Sequence, residues 1–236
     1  IMDGESSLDI VGADTVSKVI RDYRLDEHVR AIVVRVNSPG GAVLASEQIQ
    51  REIKLAAEAK PLFVSFGSYA ESGGYWISTH AHRIFAMPET VTGSIGVIGM
   101  IPNFEKIGND FGVTWDGVKT SNFADLFNVS REKTAEELAV FTKFIKSYYE
   151  DFMQRVSEGR RMPLEDVKKL AEGRVWSGRQ ALSNSLVDEY GGLFATIEAA
   201  ASQAGISDDY QIEENPSKKT FHEQLEEILE GEKEPR

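Results

Sequence analysis

The chain has 236 residues, 41% of them apolar, with no cysteine and a formal net charge of −12. Length and apolar content suit a folded protein of one large domain or two small ones. The acidic balance argues against sequence-independent nucleic-acid binding, and the missing cysteines exclude disulfides, thiolate metal sites and a cysteine nucleophile. No apolar run reaches the roughly 18 residues of a membrane span, and no signal peptide is seen. The chain opens on Ile1 rather than methionine. That is expected of a piece of a longer protein, whose membrane anchor would lie in the rest.

Thr15–Arg24 places Val16, Val19, Ile20 and Tyr23 at helical spacing. Val29–Val36 is a near-continuous β-branched run and reads as a buried parallel strand. Asn37-Ser38-Pro39-Gly40-Gly41 is the turn after it, and Val43–Ala59 the next helix. Leu62–Phe66 is a second strand, followed by a turn at Ser72-Gly73-Gly74 and a helix over Tyr75–His80. Arg83–Ala86 is a third strand, and Val91–Met100 is small and glycine-rich. This βαβ series predicts a parallel sheet with helical cover. Val113–Asp125 is irregular. Thr134–Ser157 is a long helix, with Leu138, Phe141, Ile145, Tyr148, Phe152 and Val156 on one stripe. Leu164–Ala171, Arg179–Ser183 and Phe194–Ala204 read as helices, and Gly173–Gly178 as strand or turn. The main domain is expected to cover 1–207. Residues 208–236 form an acidic tail, in which Phe221, Leu225, Ile228 and Leu229 could make a short amphipathic helix.

In a parallel sheet, ligands bind at the carboxyl ends of the strands, where both glycine turns fall. Ser72 would leave a strand end with its hydroxyl projecting, beside glycines that let a carbonyl approach the backbone. Acyl transfer needs that pairing of a nucleophile with N–H donors for an oxyanion. A short Ser-Gly-Gly match is by itself more often a solvated turn. The partnership with Pro39-Gly40-Gly41 is what moves the balance toward chemistry. His28, His80, His82 and His222 all fall away from this end and read as surface or packing residues, so a Ser-His-Asp triad is poorly supported. A serine–lysine dyad remains open. Thr92–Gly96 could take an extended peptide by backbone pairing or could serve close packing. No metal-ligand spacing is found, and no cofactor is expected.

Val36-Asn-Ser-Pro-Gly-Gly41, Ala70-Glu-Ser-Gly-Gly-Tyr-Trp-Ile-Ser78, Thr92-Gly-Ser-Ile-Gly-Val97 and Gly173-Arg-Val-Trp-Ser-Gly-Arg-Gln-Ala181, with Leu186-Val-Asp188 beyond it, together resemble the signal peptide peptidase A family, peptidase family S49. The match runs from about Val11 to Ala204 and is nearest the carboxyl-terminal half of the long, tandem-repeat form. The resemblance implies an α/β ClpP/crotonase-type fold and a membrane-associated serine protease of the bacterial cell envelope that degrades cleaved signal peptides. It implies Ser72 as nucleophile, the N–H groups of Gly41 and Gly73 as oxyanion hole, and Thr92, Gly93, Ser94, Ile95, Gly96 and Val97 along the substrate. It also implies a homo-oligomer whose subunits share active sites.

One departure concerns the general base. The lysine of short family members aligns with Ala124, so the base is expected from a missing domain or a neighbouring subunit, with Lys119 as the nearest internal candidate. Ser185 stands where a glycine is usual, which predicts a local backbone change. Two rivals follow. One is a non-catalytic peptide-binding or scaffold half. The other is a crotonase-type acyl-CoA enzyme, for which Glu71 and Glu89 would have to supply acid–base chemistry.

Overall fold

A computed structural model describes residues 1–7, 9–207 and 209–216. The amphipathic helix expected around Phe221–Leu229 lies outside the described residues, as does most of the proposed tail.

Helix α1 (Ala13–Leu25) buries Ala13, Ser17 and Ile20. It packs against α2 (Val43–Ala59), which buries Ala45, Ile49, Ile53 and Ala56. Between them in sequence, strand β1 (Ile32–Ser38) starts three residues later than its β-branched run. The ladder begins where Ile32 pairs with Leu62. Ahead of Leu62 stands Pro61, which has no N–H to donate and ends the pairing.

Strand β2 (Leu62–Glu71) is the centre of the sheet and runs five residues past its expected end. One edge pairs with β1. The other edge is shared end to end by two parallel strands. β3 (Arg83–Ala86) faces Phe63–Ser65, and β4 (Val91–Gly93) faces Tyr69–Glu71. Beyond them lie β6 (Glu189–Tyr190), parallel to β3, and β5 (Val175–Ser177), antiparallel to β4.

The alternating side chains of β2 define two layers. Leu62, Val64 and Phe66 join the main core under α2 and α3 (Gly73–Ser78), together with Tyr75, Trp76 and Phe152. Phe63 points to the other face, against Phe85 and Ala200 of α8 (Leu193–Gln203). Every residue of α3 is buried. The Tyr75 hydroxyl donates to Leu186 O at 2.8 Å, and burial holds it neutral by pushing its pKa up. Trp76 stacks on Phe152 with ring centroids 4.4 Å apart, and its Nε1 donates to Glu47 at 2.8 Å.

The long helix α5 (Ala135–Arg160) starts with a capping box between Thr134 and Glu137. Its apolar stripe enters the core only in its second half, at Phe152, Met153 and Val156; Leu138 and Phe144 are exposed. Short helices α6 (Leu164–Leu170) and α7 (Gly178–Ser183) follow. One short helix, α4 (Glu105–Asp110), has no counterpart in the sequence pattern and buries none of its residues. Ser185 adopts φ +60°. That is the left-handed backbone that suits a glycine, with a serine strained into it.

Candidate active site

Ser72 stands between the last residue of β2 and the first of α3, with φ +48° and ψ −117°. That is unusual backbone for a residue with a Cβ, and such strain gathers at functional sites. It is held from both sides. Ser72 N donates to Gly93 O at 3.0 Å, and Ser72 O accepts from Trp76 N at 2.8 Å. The buried anchors Tyr75 and Trp76 fix α3 one turn further on.

The turn after β1 touches this one. A Cβ placed on Gly73 would lie 3.1 Å from Gly41 N, so the Gly40-Gly41 and Ser72-Gly73 backbones are in direct contact. Gly73 N starts a helix and has no acceptor within it. Among the described residues, neither it nor Gly41 N donates to a protein acceptor. The turn is braced from behind. Ala42 N donates to Ile1 O at 2.9 Å, the Ile1 amino group to Gly40 O at 2.8 Å, and Gly40 N to Ser38 Oγ at 3.1 Å. Beneath Gly73 sits Ser46, fully buried, whose hydroxyl is occupied by Ala42 O at 2.9 Å. Ser46 was not singled out in the sequence. Its small size, four residues after Ala42 on the helix that leaves the turn, was the available signal.

The Thr92–Val97 segment lies beside Ser72, but much of its backbone is committed. β4 pairs with β2 on one edge and β5 on the other. Ser94 N donates to Arg174 O at 2.8 Å, and Ile95 O accepts from Gly173 N at 3.0 Å. Thr92 and Ile95 are fully buried. Ser94 also carries φ +48°. Among the described residues, 96–103 form no backbone hydrogen bond, and Ile98 and Met100 are exposed. Among the described residues, Thr92 and Gly93 thus have partners on both edges, whereas Ser94 O, Ile95 N and the backbone of Gly96 and Val97 have no protein hydrogen-bond partner.

Lys119 is exposed and directed at its own loop, with Nζ 3.3 Å from Asp125 Oδ1 and 3.5 Å from Asn122 O. Arg131 clamps that loop to α5. Its Nε donates to Asp125 Oδ2 at 2.7 Å, and its guanidinium forks onto Glu137. The Arg131 contacts hold both carboxyls well below the usual range, Glu137 at about 2. No lysine among the described residues hydrogen-bonds to Ser72. His80 and His82 also sit elsewhere. His80 packs against Gln50 Nε2 at 2.6 Å, and burial lowers its pKa. His82 Nδ1 accepts from Leu62 N at 3.2 Å, at the opposite end of β2 from Ser72.

The model of Peptidase family S49 matches residues 54–207. Protease 4 of Salmonella typhi is 44% identical over 218 residues, 90% of this chain and 35% of that protein. The serine protease SPPA, chloroplastic, of Arabidopsis thaliana is 35% identical over 82% of this chain and 29% of its own length. A putative signal peptide peptidase SppA of Enterococcus faecium is 35% identical over 82% of this chain and 57% of its own length. The chain thus spans about a third of the length of several curated relatives it matches. A ClpP1 mutant from Listeria monocytogenes superposes with a TM-score of 0.54 at 18% identity, over 78% of this chain and 86% of that one, which bears on the fold alone. With a ClpP/crotonase-type α/β fold and the family's residues over most of its length, the chain belongs to peptidase family S49.

Proposed function

We propose that this chain is the nucleophile-bearing part of a serine endopeptidase that degrades cleaved signal peptides and other extended apolar peptides. The carrying observation is Ser72, strained at a strand-to-helix turn with the N–H groups of Gly73 and Gly41 beside it. Ser72 Oγ attacks the peptide carbonyl, its proton passes to a lysine amine, and the two N–H groups hold the oxyanion. The lysine comes from a domain beyond this chain or from a neighbouring subunit, because Lys119 is turned to Asp125. The substrate pairs as a strand along Gly96 and Val97 and past them, next to the apolar side chains of Ile98 and Met100.

Oligomeric assembly fits the exposed apolar side chains that follow, among them Phe111, Val118 and Phe127. No described helix is long and apolar enough to cross a membrane. Attachment to the bacterial envelope would therefore rest on a segment outside this chain. A second reading, a non-catalytic peptide-binding half, is favoured by one observation: the lack of a lysine hydrogen-bonded to Ser72 among the described residues.

Labelling with a fluorophosphonate probe separates the two. The chain, its Ser72→Ala variant and a longer protein containing it would be compared. Labelling of the longer protein at Ser72, with little in the chain alone, supports the shared dyad. Labelling of the chain that Lys119→Ala abolishes moves the base to Lys119. No labelling in any form ends the protease reading and leaves the binding module.

A further inference from the structure

The ladder between β1 and β2 breaks once. Val36 faces Phe66, but Ser38 faces Ala70. Asn37 alone spans a gap that β2 crosses with Gly67, Ser68 and Tyr69, which makes this a β-bulge. On the opposite edge, β2 changes partner at the same place, from β3 up to Ser65 to β4 from Tyr69. The bulge is therefore the joint between the part of β2 that builds the core and the part that ends in Ser72.

Two side chains satisfy the backbone of that joint. Asn37 Oδ1 accepts from Ser68 N at 2.9 Å and, more weakly, from Tyr69 N at 3.4 Å. From the other side Thr90, 2% exposed, donates its hydroxyl to Gly67 O at 2.8 Å and accepts from Met87 N at 3.1 Å. Asn37 also immediately precedes Ser38-Pro39-Gly40-Gly41. Its main chain thus leads into one glycine turn while its side chain holds the strand that leads into the other. From Tyr69 to Ser72 the strand advances about 10 Å, so a small rotation at the bulge displaces Ser72 against a fixed Gly41.

We propose that Asn37 and Thr90 are positioning residues: they fix the bulge that sets where Ser72 stands relative to the N–H groups of Gly41 and Gly73. The proposal rests on Ser72 being the nucleophile, but the geometric part can be read without activity. The test compares Asn37→Leu and Thr90→Val, which remove the acceptor and the hydroxyl at similar size, with Asn37→Asp and Thr90→Ser, which keep them. Three quantities are measured in the chain and in a longer protein containing it: the fluorophosphonate labelling rate at Ser72, the urea midpoint, and amide hydrogen exchange.

Asn37→Leu and Thr90→Val should slow labelling per folded molecule by about 10- to 100-fold, the loss that follows from a displacement of about 1 Å. They should also speed exchange at the Ser68 and Tyr69 amides. Asn37→Asp and Thr90→Ser should restore both. Asn37→Leu and Thr90→Val proteins that fold and label at the parent's rate would overturn the proposal. So would unfolding of both, because the pair would then hold the core rather than the position of Ser72. If the unsubstituted longer protein itself fails to label, the peptidase reading falls separately. Exchange then decides: faster exchange confined to 68–73 supports the positioning role, and unchanged exchange overturns it.

Discussion

Gly40→Ala puts one methyl group between the two turns. Gly40 has φ +115°, and the new Cβ would lie 2.8 Å from Ser72 Cβ, 2.9 Å from Gly73 N and 3.1 Å from Glu71 O. None of these is the far end of a flexible side chain, so the backbone must give way. Holding alanine at this φ costs about 1–3 kcal/mol, and relieving the overlap about 1–3 kcal/mol more. The sum is a large share of a typical stability of about 5–15 kcal/mol. Ordinary contact begins near 3.4 Å, so Ser72 must retreat from the 2.8 Å position by roughly 0.6 Å. Displacements approaching 1 Å cost up to about 100-fold in rate. A urea titration would read the stability loss, and fluorophosphonate labelling of the folded fraction would read the position of Ser72. A Gly40→Ala protein with the parent's midpoint and labelling rate would refute the claim that these turns are in contact.

Three further outcomes are expected. Trp76→Ala should cost about 3–5 kcal/mol in urea unfolding, because the indole both stacks on Phe152 and donates to Glu47; a loss below about 1 kcal/mol would show that α3 is anchored elsewhere. Glu137 is held at about 2, from an ordinary 4.5, first by Arg131 and then by the Thr134 backbone N–H. The unfolded chain therefore takes up the proton first as acid is added. The stability Glu137 lends is complete above about pH 4.5 and is lost as the pH falls toward about 2. Glu137→Gln should flatten the thermal midpoint against pH across that window, and an unchanged profile would remove Glu137 as the cause. Ser185→Gly should stabilise the chain by about 1 kcal/mol, since φ +60° is already glycine's conformation; a lower thermal midpoint would count against strain there.

What could be read from the sequence was what local pattern determines. The helix over Val43–Ala59 and the strand over Arg83–Ala86 fall on the residues their periodicity marks. The Ser72 turn lies between strand and helix as its glycines suggested. The rest depends on partners distant in the chain. β2 looked finished at Phe66 because Gly67-Ser68 resembles a breaker, and it continues because Asn37 and Thr90 satisfy the interruption. Likewise, nothing near Thr92 announces that Arg174–Ser177 will occupy its open edge. The stripe on α5 was real, but in its first half Leu138 is exposed and Phe141 and Ile145 pack beside Gly99 and Phe127 rather than in the core: periodicity records which residues share a face, not what covers it.

The exposed apolar side chains from Ile98 to Phe144 carry a thermal consequence. Whatever covers Ile98, Met100, Phe111, Val118 and Phe127 removes apolar surface from water. Such association has a negative heat-capacity change and loses strength on cooling. An assembly held through these side chains should be firmest near physiological temperature and loosen in the cold room. Sizing at 4 °C alone would then report a smaller particle than sizing at physiological temperature.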